Sequence, residues 1–248
     1  MISKVKQYIN KYFGTKKQIG IFVVLILLIV FVSLFTPIYQ IENIEVSGNS
    51  TVDSSTIIKA SGIKIGESVF KVDSVSAKKG ISKVAYINTV KIKRRFPDTV
   101  KIEVTESTEC AYINFVGGFV GIDQNGKVLT VKQKLTDVTK PVVYGISISD
   151  FEIGSNIAIG DEQKRNVLFE MLGQIRSSGI EDKIQYMDIN DFDNITFTLK
   201  NKISVKLGST ESIKYKIAYL KAVLDELGDV SGGVIDITDT ENVVYNGN

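Results

Sequence analysis

The chain contains no histidine, no tryptophan, a single cysteine (Cys110) and only three prolines. Without histidine it lacks the commonest general base at neutral pH, the commonest zinc ligand, and every Ser–His or Cys–His nucleophile pair. One cysteine excludes an internal disulfide framework, a thiolate zinc site and an iron–sulfur cluster. Most enzyme classes thereby lose their usual chemistry. The remaining composition, 44% hydrophobic and 23% charged, is that of a globular chain. Its 248 residues leave room for one to three domains.

Acidic residues are missing from the start of the chain: none occurs before Glu42, whereas Lys4, Lys6, Lys11, Lys16 and Lys17 precede it. Setting those five lysines aside leaves 25 basic against 28 acidic residues in the body, a net charge of −3. A weakly acidic body argues against nucleic acid as a partner, since that role needs a concentrated basic face. Between the lysines and Glu42 lies an uncharged stretch, Ile19 to Tyr39. As a helix these residues would reach roughly 31 Å, the thickness of a hydrocarbon core. The expectation is a cytoplasmic basic tail over 1–18, a transmembrane helix over 19–39 centred on Ile21, Leu25, Leu28 and Val32, and an outward-facing body. The lysine asymmetry places the N-terminus in the cytoplasm, giving a single-pass type II protein of the cell membrane. A cleaved signal peptide would have a shorter apolar run and a small-residue cleavage site, and Thr36-Pro37-Ile38-Tyr39-Gln40 offers none.

After the span, Ile41, Ile44 and Val46 open a strand that ends in the turn Ser47-Gly48-Asn49-Ser50. Asp53 or Ser54 can cap one short helix and Asp73 a second, with Gly62 and Gly80 beyond them. Tyr86 to Lys93 reads as a strand, Arg95-Phe96-Pro97-Asp98 as a turn, and Val100, Ile102 and Val104 alternate with polar residues in a second strand. The run Arg95-Phe96-Pro97-Asp98-Thr99-Val100-x-Ile102-x-Val104-x-Glu106, with Ile44-x-Val46-x-Gly48 and Ile65-Gly66 before it, resembles the POTRA domain of the FtsQ/DivIB family of bacterial cell-division proteins. The motif positions are Gly48, Gly66, Arg95 and Pro97, and the domain implied is β-α-α-β-β over 40–107.

From 108 to 248 the pattern continues with strands around Ala111-Tyr112-Ile113 and Phe119 to Ile122, then a hairpin turn at Asp123 to Gly126. A helix between Asp161 and Gly179 follows, then strands at 185–189, 195–199 and 203–207. A helix from about Thr210 to Leu227 is followed by closing strands at Gly233 to Ile237 and Val243 to Tyr245. This order, with Pro141, Lys216, Lys221 and Ile235-Asp236-Ile237, is similar to the β-domain of the same family. The fold class expected is therefore α+β: one transmembrane helix, a small POTRA-like domain, and a larger, mainly antiparallel β-domain with helices.

Other candidate chemistry has plainer readings. Asp188 to Asn194 fails an EF-hand loop, which needs ligand oxygens and glycine where Phe192 and Asp193 stand. It reads as a turn. Gly117-Gly118 and Gly232-Gly233 are hairpin bends and not phosphate loops. Glu103, Glu106 and Glu109 read as a solvated face. Lys91, Lys93, Arg94 and Arg95 are either a solvated face or a contact for lipid or wall polymer. Cys110 reads as a small buried side chain.

No catalytic residue, metal or cofactor is called for. The resemblance implies a non-catalytic scaffold at the division septum that binds FtsL-like and FtsB/DivIC-like single-span division proteins, and through them acts on septal peptidoglycan synthesis. The alternative is an anchored extracytoplasmic enzyme of cell-wall metabolism. The closing strand should lie at a sheet edge, where a partner adds a strand. In the family this region binds the FtsB/DivIC-type protein, so the resemblance assigns partner binding to Val234, Ile235, Ile237, Thr238, Val243, Val244 and Tyr245.

Overall fold

The computed structural model describes residues 16–34 and 37–247, apart from the side chains of residues 16, 17, 33, 34 and 37. The expected tail over 1–18 lies mostly outside this range. Helix α1 spans Lys16–Leu34. The helix expected over 19–39 is shorter than anticipated, because Pro37–Tyr39 forms a separate 3-10 turn. Among the described residues no helix is long and apolar enough to cross a membrane. The described side chains of α1 cover residues 18–32, about 22 Å of helix. Ile21, Leu25, Leu28 and Val32 are all at least half exposed.

The first folded unit contains β1 (Asn43–Ser47), α2 (Ser54–Ser61), α3 (Ser74–Ser82), β2 (Ile87–Arg95) and β3 (Thr99–Glu106). The sheet order is β1-β3-β2, with β1 parallel and β2 antiparallel to β3. Val100, Ile102 and Val104 all point into the core, where they meet Ile57, Val69, Ala77 and Ile81. The sequence puts these helices here for visible reasons. The Asp73 carboxylate accepts from the N–H groups of Val75 and Ser76 at the start of α3. Gly62 takes the left-handed conformation that ends α2. Gly80 does not stop α3, which runs two residues past it. A side chain there would place its Cβ 2.2 Å from the Ala60 carbonyl oxygen, so Gly80 is the point where α3 crosses α2.

The second unit is built on nine strands: β4 (Ala111–Phe115), β5 (Gly118–Ile122), β6 (Val128–Lys132), β7 (Val142–Tyr144), β10 (Ile184–Asp188), β11 (Ile195–Leu199), β12 (Ser204–Gly208), β13 (Val234–Asp236) and β14 (Val244–Asn246). Their order is β14-β13-β12-β11-β10-β7-β4-β5-β6. Five of the neighbouring pairs are antiparallel. Three (β4/β7, β7/β10 and β12/β13) are parallel. A small hairpin of β8 (Ile148–Asp150) and β9 (Ala158–Ile159) stands apart from this sheet. Helices α4 (Glu162–Ser178) and α5 (Ile213–Leu227) touch each other and bury Leu168, Met171, Ile175, Ile217, Leu220 and Leu224 in the same core. Asp161 caps α4 through the Lys164 N–H and Gly179 ends it. The fold is thus α+β: a small POTRA-like unit followed by a larger, mainly antiparallel one.

Candidate partner-binding interface

Strand β14 is one margin of the nine-stranded sheet. It pairs antiparallel with β13, with Ile235 opposite Tyr245 and Asp236 opposite Val244. The other margin, β6, is blocked at its start: the N–H of Val128 donates to Ser155 and its carbonyl accepts from Gly154, each within 3 Å. A partner strand therefore has more room at β14.

The seven residues assigned to this surface divide by depth. Ile235 and Ile237 are fully buried and belong to the core, so they support the surface and do not form it. Val243 and Tyr245 pack part-buried against that core, and the Tyr245 hydroxyl donates to the Gly232 carbonyl at 3.0 Å. Val234 is half-buried and Thr238 exposed. Val244 faces solvent at 46% exposure, the one large apolar side chain of the strand free to contact a partner. Between β13 and β14 the polar residues form turns. Asp236 accepts from the Thr238 N–H and hydroxyl, and these bonds lower its pKa. Asp239 accepts from the Glu241 N–H and the Asn242 amide.

The motif residues of the first unit are structural. Gly48 sits at φ +87° with its Cβ position 2.0 Å from the Val104 carbonyl oxygen, so only glycine fits. Gly66 (φ +86°) turns the chain so that its N–H bonds the Ile41 carbonyl. Arg95 pairs with Glu45 at 3.2 Å on the surface, and Pro97 forms a cis peptide with Phe96 in the turn.

The three glutamates are not a uniform solvated face. Glu103 pairs with Lys93 and Lys101. Glu106 accepts from the N–H groups of Ser50, Thr51 and Val52 and from the Ser50 hydroxyl. Burial opposes its ionisation, but these donors outweigh it and hold the carboxyl at about 2. Glu109 accepts from the hydroxyls of Tyr86 and Tyr112 and pairs with Lys132. Each carboxylate is bound by its own neighbours.

One residue of the junction gave no sequence signal. Lys127 is buried, and its ammonium donates to the carbonyls of Ser82, Val84 and Ile87 at 2.6–2.8 Å. A lysine of the second unit thus ties the end of α3 to the start of β2 in the first. Burial lowers its pKa, which the nearby Asp123 partly offsets. Asp123 in turn accepts from the Ser107 hydroxyl and from the N–H groups of Asn125 and Lys127. Cys110 is buried beside this turn, and burial with the Asp123 charge pushes its thiol up to about 12.

Comparison with known proteins agrees with this architecture. Residues 39–107 match the POTRA domain, FtsQ-type, and residues 111–239 match Cell division protein FtsQ/DivIB, C-terminal. The chain is 27% identical to the cell division protein DivIB of Clostridium botulinum over 93% of its own length and 90% of that protein. It is 26% identical to the cell division protein FtsQ of Corynebacterium glutamicum, over 85% of this chain and 90% of that one. The extracytoplasmic domain of DivIB from Geobacillus stearothermophilus aligns over 50% of this chain and 95% of that one, at 15% identity and a TM-score of 0.33, too distant to bear on the fold. Matched through both its units, the chain belongs to the FtsQ/DivIB family of cell division proteins.

Proposed function

We propose that this chain is a non-catalytic, membrane-anchored scaffold of the bacterial division machinery. It holds FtsL-like and FtsB/DivIC-like single-span proteins at the septum and so links them to the septal wall-synthesis enzymes. The observation that carries the reading is β14, a strand at the margin of the sheet whose exposed Val244 is backed by the packed Val243 and Tyr245. A partner segment adding antiparallel or parallel to this margin gains main-chain hydrogen bonds and one apolar anchor. Family membership supports a division role. For the anchor, α1 has no polar face along its described length, and a helix apolar all round needs an apolar surround. The uncharged sequence continues to Tyr39, and the flanking lysines can snorkel to bridge a short mismatch. The lysine asymmetry orients the body outward.

The test is capture of the FtsB/DivIC-type partner by the full chain and by Val244→Asp. A charge at an exposed position should leave folding intact and weaken capture about tenfold or more, the equivalent of roughly 1.4 kcal/mol. Unchanged capture would remove β14 from the mechanism.

A further inference from the structure

A second exposed apolar surface lies on the first folded unit, near the point where the chain leaves α1. The rings of Tyr39, Phe70 and Phe96 form a cluster, with centroids 5.2 Å apart for Tyr39–Phe70 and 5.0 Å for Phe70–Phe96. Phe96 and Phe70 are 57% and 43% exposed, and Ile38 beside them is 63% exposed. Two separate loops bring these rings together, and each is tied by backbone bonds to the chain just after α1. The Ile41 N–H donates to the Glu67 carbonyl, the Gly66 N–H to the Ile41 carbonyl, and Gln40 bridges Ser68. This fixes the 3-10 turn Val69–Lys71 that carries Phe70. The Glu42 N–H donates to the Asp98 carbonyl at 2.9 Å, which fixes the Phe96-Pro97 turn. Tyr39 lies five positions after Leu34, a reach of at most about 18 Å. The aromatic cluster is thus tethered close to the end of α1 however the intervening chain runs.

We propose that this cluster is a bilayer contact: Ile38, Phe70 and Phe96 rest in the headgroup region of the outer leaflet and seat the first unit on the membrane. The inference rests on the membrane-anchor reading above. Aromatic rings favour the interface, where an apolar body and a polar edge are both accommodated. The tether supplies a high effective concentration, so even a small apolar patch docks. Lys71 and Arg94 follow or precede the rings in sequence, and Arg94 is held in place by the Val72 carbonyl at 2.8 Å. In the same segments Lys71, Arg94 and Arg95 stand against Glu42, Glu67 and Asp98, so the flanking charges balance and apolar insertion, not attraction to anionic lipid, is the driving term. Docking should therefore persist in zwitterionic lipid.

The chain's lack of tryptophan makes the test direct. Full-length protein with a single tryptophan, Phe96→Trp, Phe70→Trp, Leu25→Trp or Tyr215→Trp, is reconstituted in phosphatidylcholine vesicles carrying lipids brominated at shallow or deep acyl positions. Leu25→Trp, within α1, should be quenched most by deep bromines. Phe96→Trp and Phe70→Trp should be quenched by shallow bromines, with emission shifted to shorter wavelength. Tyr215→Trp, exposed on α5, should be quenched by neither. Quenching of Leu25→Trp with both phenylalanine-site probes as silent as Tyr215→Trp overturns the docking while leaving the anchor. Silence of Leu25→Trp as well overturns the anchor reading and the docking with it.

Discussion

Glu106 shows how much one side chain can hold. Its carboxylate collects three backbone N–H groups and a hydroxyl from the turn after β1, closing a loop of more than fifty residues. Its folded pKa of about 2 lies below the ordinary 4.5. Its contribution to stability is therefore complete above pH 4.5 and is lost as pH falls toward 2. Glu106→Gln should cost about 1–3 kcal/mol at neutral pH, because an amide brings its own donors against three N–H groups. The difference in melting temperature between the two proteins should shrink between pH 4.5 and 2, measured by circular dichroism. A constant difference would show that the charge is not what matters. Cys110 has the opposite character. With its thiol pushed up to about 12, it should react with a disulfide reagent at neutral pH only after denaturant is added; rapid labelling of the folded protein would contradict its burial.

At the scale of elements, local pattern and tertiary contact carry different parts of the fold. The alternation of Val100, Ile102 and Val104 and the caps Asp161 and Gly179 are local signals, and the strand and helix they mark are where the sequence puts them. The marginal position of β14 was also expected, and β14 lies at one margin of the nine-stranded sheet. Gly80 was misleading because a glycine after a short helix has the local signature of a stop, whereas its role is to let α2 and α3 touch. Ile235 and Ile237 were assigned to a surface by the family resemblance, which marks the region but not the depth of each side chain, and both are fully buried in the core. Gly80→Ala separates the two roles. As a helix-interior substitution it should gain up to ~1 kcal/mol of propensity, but the clash with the Ala60 carbonyl should cost about 1–3 kcal/mol. Net destabilisation in thermal melts is expected, and a stabilised variant would mean the helices can separate freely.

For the whole molecule the decisive residue is Lys127, whose acceptors lie 40 or more positions away in sequence. Three ammonium donors meet three carbonyls, while the Asp123 turn and the Glu109–Tyr86 bond brace the same joint. Lys127→Met keeps the stem and removes the donors, so it should cost about 1–3 kcal/mol and speed proteolysis of the full chain near Ser107. Unchanged cleavage would show that the other contacts suffice. The joint also has a mechanical meaning. Two beads on a slack string would let β14 wander relative to the aromatic cluster of Tyr39, Phe70 and Phe96. A stiff elbow makes that separation a fixed length written into the fold. For a chain anchored as proposed, β14 then stands at one height above the bilayer, and a partner rising from the same membrane is selected by its reach as well as by its side chains.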